Sequence, residues 1–314
     1  MTLHGLPLAK EFYQHCAQPL FAEYAPDLFA VAAFGLVGEG SECYGFDDTV
    51  SRDHDWGPAF CVWLPSALLA DHLAQLENVL CKLPATFQGW PTRMRPEQRM
   101  GRVGPQSIED FYARFTRLPR LPEHWREWRL IPEHFLAVAT NGEVFHDTLG
   151  LFSTLRQGLL HFYPEDLRRK KIAARCMGMA QAGQYNVLRS LKRCEAVPAL
   201  LSAARFAEQA LSMVYLLNKK YMPFYKWAHR GVIDLPVLGA LCHETLQQLS
   251  ALTWAHDVYT HADHAIEILC AAVAGELRVQ GLSDASGDWL LDHGPRVQQT
   301  IENPELRNIP VMLE

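Results

Sequence analysis

The chain has 314 residues, of which 49% are hydrophobic and 20% charged, a balance that provides cores for about two domains and excludes an intrinsically disordered protein. The net charge of −6 at pH 7 argues against proteins that bind DNA or anionic membranes through bulk positive charge. Eight scattered cysteines without a CxxC pair, and an N-terminus without the pattern of a signal peptide, indicate reduced thiols and a cytoplasmic location.

The first half of the chain mixes predicted helices with predicted strands. Apolar spacing favours helices at residues 7–24, 65–83 and 132–140. Apolar runs bounded by turn residues predict strands at residues 28–37, 59–64 and 143–147. Residues 85–106 are rich in Pro, Gly and Arg and predict a loop with one irregular strand.

After Tyr163, helical periodicity dominates the pattern. Helices are expected at residues 164–182, 198–218, 236–254, 257–280 and 287–302. This change divides the chain into an α+β domain at residues 1–155 and an all-α helical bundle at residues 156–314. No run of about 18 apolar residues is present that could span a membrane, so no membrane partner is expected.

The acidic loop, residues 38–55 (GEGSECYGFDDTVSRDHD), lies between the first two predicted strands and carries six acidic side chains. Folding alone does not explain this much negative charge in one segment. Asp53 and Asp55 are separated by one residue, so on a strand their side chains would share one face. Carboxylates placed in this way suit divalent cations that bind phosphates. Gly40 permits a tight turn whose N–H groups can face a phosphate, and the Ser41 hydroxyl can add a hydrogen bond.

The Gly-Ser turn (Gly40-Ser41) followed by Asp53-His54-Asp55 resembles the signature of the DNA polymerase beta-like nucleotidyltransferase superfamily. The longer phrase GEGSECYGFDDTVSRDHDWGP is similar to a bacterial nucleotidyltransferase-like family of unknown function, and the resemblance extends to about residue 230. It implies a catalytic domain built on a mixed sheet flanked by helices. It also implies that Gly40 and Ser41 hold the phosphates of a nucleotide and that Asp53 and Asp55 bind Mg²⁺ or Mn²⁺.

Two features depart from this signature. Trp56-Gly57-Pro58 directly after Asp55 interrupts the predicted strand, because proline cannot donate to a ladder. A third carboxylate, which such enzymes usually carry on a neighbouring strand as metal ligand or base, is not evident. Glu143 is the preferred catalytic candidate because it begins a predicted strand, with Glu109 and Asp147 as alternatives.

Cationic and aromatic residues of the helical domain provide further candidates for nucleotide binding. Lys171 shares one helix face with Arg168 and Arg175, which could hold phosphates or form a solvated charged face. Lys219, Tyr221 and Lys226 could stack a base and contact a phosphate, or they could pack in an interface. The sequence leaves both alternatives open for each group.

The function expected from these features is Mg²⁺-dependent transfer of a nucleoside monophosphate from an NTP, with ATP as the expected nucleotide, to a hydroxyl-bearing acceptor. The acceptor could be a small molecule, a protein side chain or an RNA end. The alternative is a catalytically weak nucleotide-binding or antitoxin-like regulatory protein. A third carboxylate close to Asp53 and Asp55 would favour the enzyme, and its absence would favour the binding protein.

Overall fold

The computed structural model describes residues 4–252 and 259–314 and divides the chain into two compact units, Met1–His161 and Phe162–Glu314. Residues 253–258, where one predicted helix ends and the next begins, lie outside the described residues.

The first unit contains a four-stranded mixed sheet and a two-stranded hairpin. The strands are β1 (Ala33–Leu36), β2 (Cys61–Leu64), β3 (Thr86–Phe87), β4 (Trp90–Pro91), β5 (Gly104–Ser107) and β6 (Glu143–Asp147). In the larger sheet, the order is β5-β2-β1-β6, with β1 antiparallel to both of its neighbours and β2 parallel to β5. Phe34 pairs with Val62, and Cys61 pairs with Gly104.

Helices cover both faces of this sheet. They are α1 (Gly5–Phe12), α2 (Gln18–Tyr24), α3 (Pro26–Val31), α4 (Ser66–Leu80), α5 (Ile108–Thr116), α6 (Trp125–Arg129), α7 (Glu133–Thr140) and α8 (Leu151–Leu160). On one face, Phe34 of β1 packs against Tyr13 and Phe21. On the other, Trp63 of β2 stacks on Phe152 of α8 at 3.9 Å between ring centroids. Because both faces are covered, β1 and β2 are apolar throughout and fully buried.

Two predicted strands of the first unit are too long. Residues 26–31 form α3 instead of the beginning of a strand, because Pro26 and Asp27 are favourable residues for the first turn of a helix. β2 begins at Cys61, after the interruption by Trp56-Gly57-Pro58. The predicted loop at residues 85–106 contains the β3–β4 hairpin and the start of β5.

The second unit is helical. Its helices are α9 (Glu165–Met179), α10 (Leu188–Lys192), α11 (Ala196–Leu217), α12 (Tyr225–Val232), α13 (Gly239–Ser250), α14 (Tyr259–Val279), α15 (Leu290–Gln299) and α16 (Pro304–Arg307). A π-helical segment at Ala180–Val187 joins α9 to α10, and α9 packs against α11 and α15. The predicted class, an α+β domain followed by a helical bundle, is confirmed. Within the two described ranges, no helix is both long enough and apolar enough to cross a bilayer.

A fully buried lysine of α9 lies among polar acceptors inside the second unit. Lys170 is 0% exposed, and its ammonium donates to Gln298 Oε1 at 2.7 Å and to the carbonyl oxygens of Ile309 and Pro310 at 3.0 and 2.8 Å. These three acceptors use all three ammonium hydrogens, which compensates the cost of removing the charge from water. This basic residue of α9 is therefore part of the core and not of a charged face.

Candidate functional site

The acidic loop begins directly after β1 with two glycines that no other residue could replace without strain. Gly38 has φ of 133° and Gly40 has φ of 157°. A Cβ atom at Gly40 would lie 2.6 Å from Glu42 Oε2 and 2.7 Å from Arg102 Nη2. The positive φ favours glycine at residue 40, and the backbone there comes close to both a carboxylate and a guanidinium.

The Gly-Ser turn is anchored to the junction between α7 and β6. Gly38 N–H donates to Asn141 Oδ1 at 2.9 Å, Asn141 Nδ2 donates back to Gly38 O at 2.9 Å, and Gly142 N–H donates to Cys43 O at 2.8 Å. Ser41 precedes a short 3₁₀ turn, and its carbonyl oxygen accepts from Tyr44 N–H and Phe46 N–H. These contacts give the turn a defined backbone position.

Asp53 and Asp55 do not lie on a strand, so the strand geometry expected for them is wrong. Asp53 ends a 3₁₀ turn at Val50–Arg52, Asp55 has φ of 52°, and β2 begins only at Cys61. Asp53 is exposed, and its Oδ1 lies 2.6 Å from His54 Nδ1. This hydrogen bond lowers the pKa of the Asp53 carboxyl below its usual range, which favours the ionised form.

Arg102 connects the Gly-Ser turn to Asp55. Its Nη1 lies 3.3 Å from Asp55 Oδ2, its Nη2 donates to the carbonyl oxygen of Glu39, and the same Nη2 is 3.9 Å from Glu42 Oε1. The segments that carry the two halves of the sequence signature therefore meet at one guanidinium. The position of Arg102 follows from the parallel pairing of β2 with β5, because residue 102 comes just before β5 and is therefore held near the start of β2.

A second arginine lies buried beside Glu42. Arg93 Nη2 is 3.6 Å from Glu42 Oε1, and both side chains are less than 10% exposed. Burial raises the pKa of Glu42 in spite of the two arginines, and burial lowers the pKa of Arg93. Within the part of the chain that the structure describes, Arg93 Nε and Nη1 have no hydrogen-bond acceptor. Buried guanidinium donors without acceptors are uncommon, and they make this region favourable to anions.

Other acidic side chains of the loop support the fold. Asp47 has a fully buried side chain that accepts from Gly5 N–H at 2.7 Å and from Trp56 Nε1 at 3.0 Å. Asp48 accepts from the N–H groups of Val50 and Ser51. The expectation that folding does not explain the charge of this loop is therefore wrong for these two residues.

The predicted third carboxylate does not join Asp53 and Asp55. Glu143 pairs with Lys10, Glu109 accepts from the N–H and hydroxyl of Ser66 at 2.9 Å each, and Asp147 accepts from Ser153 N–H at 2.7 Å. The strands on either side of β2, β1 and β5, contain no acidic residue. The catalytic role of Glu143 stays a prediction.

The carboxylates of Asp53 and Asp55 fit a metal that binds as a complex with a triphosphate better than a metal that the protein holds alone. Among residues 4–252 and 259–314, no group of three or more His, Cys, Asp or Glu side chains could hold a metal ion. Mg²⁺ commonly binds one or two carboxylates and completes its coordination with waters and substrate phosphates. Asp53 is exposed, with a carboxyl pKa that its hydrogen bond with His54 lowers, and Asp55 is partly exposed, so these two could supply such carboxylates.

The predicted residues of the second unit have different environments. Lys171 is 7% exposed, lies 3.4 Å from Glu314 Oε2 and faces the Tyr163 ring at 5.2 Å. Tyr221 is buried against Phe162 and Tyr163, so its ring is part of the core.

The two remaining candidates are exposed lysines. Lys219 is 60% exposed and pairs with Glu165 at 3.6 Å. Lys226 is exposed, with its ammonium 5.0 Å from the Trp227 ring centroid. Of the four candidates of the second unit, these two offer charge to a ligand most directly.

The pairing of Glu314 predicts a pH dependence of stability. Burial opposes ionisation of Glu314, but Lys171 and Arg175 outweigh it and lower the pKa of its carboxyl. A lowered pKa in the folded state stabilises the protein above the unfolded-state value of about 4.3, and this stabilisation disappears as the pH falls through the folded value. Urea unfolding of Glu314→Gln should therefore show a weaker loss of stability in acid than the wild type. Glu208→Gln, on the exposed side of α11, should keep the wild-type profile.

The residues of the candidate site that sequence reasoning missed are two arginines. Arg93 and Arg102 follow the acidic loop in the chain and meet its carboxylates in space. The only signal in the sequence was the number of arginines in a segment that predicted a loop. Charge complementarity between that segment and the acidic loop would have indicated the contact.

In comparisons with known proteins, only the middle of the chain matches a protein family. Residues 128–228 match the family described as "Domain of unknown function (DUF4037)". The matched region includes Glu143 and the predicted residues of the second unit, but not the acidic loop. The family description names no activity. Neither the curated proteins nor the solved structures that were compared gave a match.

Proposed function

We propose that the first unit binds a nucleoside triphosphate with Mg²⁺ and transfers its nucleoside monophosphate to a hydroxyl-bearing acceptor. ATP is the expected nucleotide. In this reaction the acceptor oxygen bonds to the α-phosphorus, the bond from that phosphorus to the bridging oxygen breaks, and pyrophosphate leaves. The hydroxyl proton is released at the same time.

The observation that carries the proposal is the contact of Arg102 with both Asp55 and the backbone of Glu39 next to the Gly-Ser turn. It brings a turn suited to phosphate and a carboxylate suited to a cation into one place. Gly40 and Ser41 would hold the β- and γ-phosphates through backbone N–H groups and the serine hydroxyl. Asp53 and Asp55 would bind the cation, which neutralises negative charge on the phosphates during transfer.

A second candidate function is nucleotide binding without turnover, as in a regulatory or antitoxin-like protein. The observation that favours it is the engagement of Glu109, Glu143 and Asp147 in other contacts. A site with only two carboxylates could bind Mg–NTP and lack the base that removes the acceptor proton.

The proposal places the reaction in the cytoplasm, where the eight cysteines, all of them free, would stay reduced. The partner is an acceptor with a hydroxyl group, for which a small molecule, a protein side chain and an RNA end all have suitable chemistry. Neither a membrane nor bulk DNA is part of the proposal.

Incubation with each labelled NTP, Mg²⁺ and a cell extract tests the proposal. We expect one or more components to gain the mass of a nucleoside monophosphate with wild-type protein and not with the Asp53→Asn/Asp55→Asn double variant. Mg–NTP binding without any such product, in extracts and with purified candidate acceptors, would favour the second candidate function.

A further inference from the structure

Arg102 is fixed at its backbone and held by polar contacts at its guanidinium. Its N–H donates to Arg99 O at 2.9 Å, and its carbonyl oxygen accepts from Cys61 Sγ at 3.3 Å. The side chain is 20% exposed, so its end reaches solvent from a mostly buried stem. Small rotations of this side chain can therefore change the contacts of the guanidinium without moving the backbone.

The guanidinium and a divalent cation compete for the same carboxylate. Arg102 Nη1 lies 3.3 Å from Asp55 Oδ2. A metal bound at that oxygen would place at least two positive charges against a third, which is unfavourable at such short range. Binding of a cation at Asp55 Oδ2 therefore requires Arg102 to weaken or leave this contact.

The nearest alternative anion would be the triphosphate itself. Arg102 Nη2 lies against the Gly-Ser turn, 2.7 Å from the position of a Cβ at Gly40, and it already donates to Glu39 O. A phosphate held by that turn would be within reach of the guanidinium, which binds phosphate oxygens well.

We propose that Arg102 exchanges partners, from Asp55 to the triphosphate, when a metal–nucleotide complex binds, and that it suppresses metal binding by Asp55 in the absence of nucleotide. This inference rests on the proposed function and adds to it a residue that couples metal binding to nucleotide binding. Each ligand then favours binding of the other, because the nucleotide draws the Arg102 guanidinium away from the carboxylate that binds the metal.

Mn²⁺ binding measured by electron paramagnetic resonance, first without nucleotide, tests the exchange. Arg102→Gln should bind Mn²⁺ several-fold more tightly than the wild type, because Asp55 loses its competing cation. The gain should disappear in Arg102→Gln/Asp55→Asn. Arg114→Gln removes a neighbouring arginine that pairs with Glu39 instead, and its Mn²⁺ affinity should equal that of the wild type.

The second arm of the experiment measures Mn–ATP affinity of the same variants by calorimetry. Arg102→Gln should bind Mn–ATP at least tenfold more weakly than the wild type, opposite in sign to its change in Mn²⁺ affinity. Unchanged Mn²⁺ affinity, a gain that persists without Asp55, or unchanged Mn–ATP affinity would overturn the inference.

Two further outcomes are a variant that does not fold and a wild-type protein that does not bind Mn–ATP. If Arg102→Gln does not fold, Arg102→Lys replaces it, because one ammonium cannot reproduce both guanidinium contacts. Arg102→Lys should bind Mn²⁺ more tightly and Mn–ATP more weakly than the wild type, with smaller changes than Arg102→Gln. No change in either affinity would overturn the inference. A wild-type protein that binds no Mn–ATP would contradict the proposed function, and the Mn²⁺ arm would still decide whether Arg102 competes at Asp55.

Discussion

Replacing Asp53 or Asp55 with Asn is expected to reduce the proposed nucleotidyl transfer by ~10³-fold or more, which corresponds to about 4 kcal/mol of transition-state stabilisation. The amide has nearly the shape of the carboxylate but lacks the charge that holds the cation. Initial rates with labelled ATP and a saturating acceptor provide the measurement.

Stability of these variants should change little. Asp53 is exposed and Asp55 pairs with Arg102 at a partly exposed site, so loss of that pair should cost at most about 1 kcal/mol. Asp48→Asn is the matched control, because its remaining amide oxygen can still accept from Val50 and Ser51. Its rate should stay within about tenfold of wild type, or ~1.4 kcal/mol. Loss of activity in Asp48→Asn with full activity in the other two variants would refute the assignment of the metal site.

Replacing Asp47 with Ala is expected to destabilise the protein by roughly 2–5 kcal/mol. The change leaves the buried donors Gly5 N–H and Trp56 Nε1 without their acceptor, and each unsatisfied donor costs about 1–3 kcal/mol. Thermal unfolding should show a decrease of roughly 10 °C for a unit of this size.

Glu39→Ala is the control for this second prediction. Glu39 pairs with Arg114 at an exposed site, so its loss should change stability by no more than about 1 kcal/mol. Equal melting temperatures for Asp47→Ala and wild type would show that Asp47 does not connect the start of α1 to Trp56.

The sequence predicted best what depends on local spacing. The helices of the second unit follow from apolar residues that recur every three or four positions, and the predictions at residues 164–182 and 198–218 overlap α9 and α11. The rule for apolar runs placed the start of β1 too early, because Pro26 and Asp27 favoured a helix over an extended strand.

The candidate site was predicted only in part, because its contacts join distant segments. Gly40 and Asp55 stood out as motif residues, but their contacts with Arg102 depend on the pairing of β2 with β5. Lys171 looked like a free cation on a helix face, and its pairing with Glu314 joins residues 143 positions apart. The composition of a chain and the spacing of its residues do not indicate which distant residues will pair.

The central claim is that the acidic loop binds a nucleotide together with its metal, and calorimetry of ATP binding tests it most directly. With Mg²⁺ present, the wild type should bind ATP at least tenfold more tightly than in EDTA, because the triphosphate and the carboxylates of Asp53 and Asp55 share the cation. The Asp53→Asn/Asp55→Asn double variant should lose this difference. Equal ATP affinity of the wild type with Mg²⁺ and with EDTA, or no ATP binding in either condition, would contradict the claim.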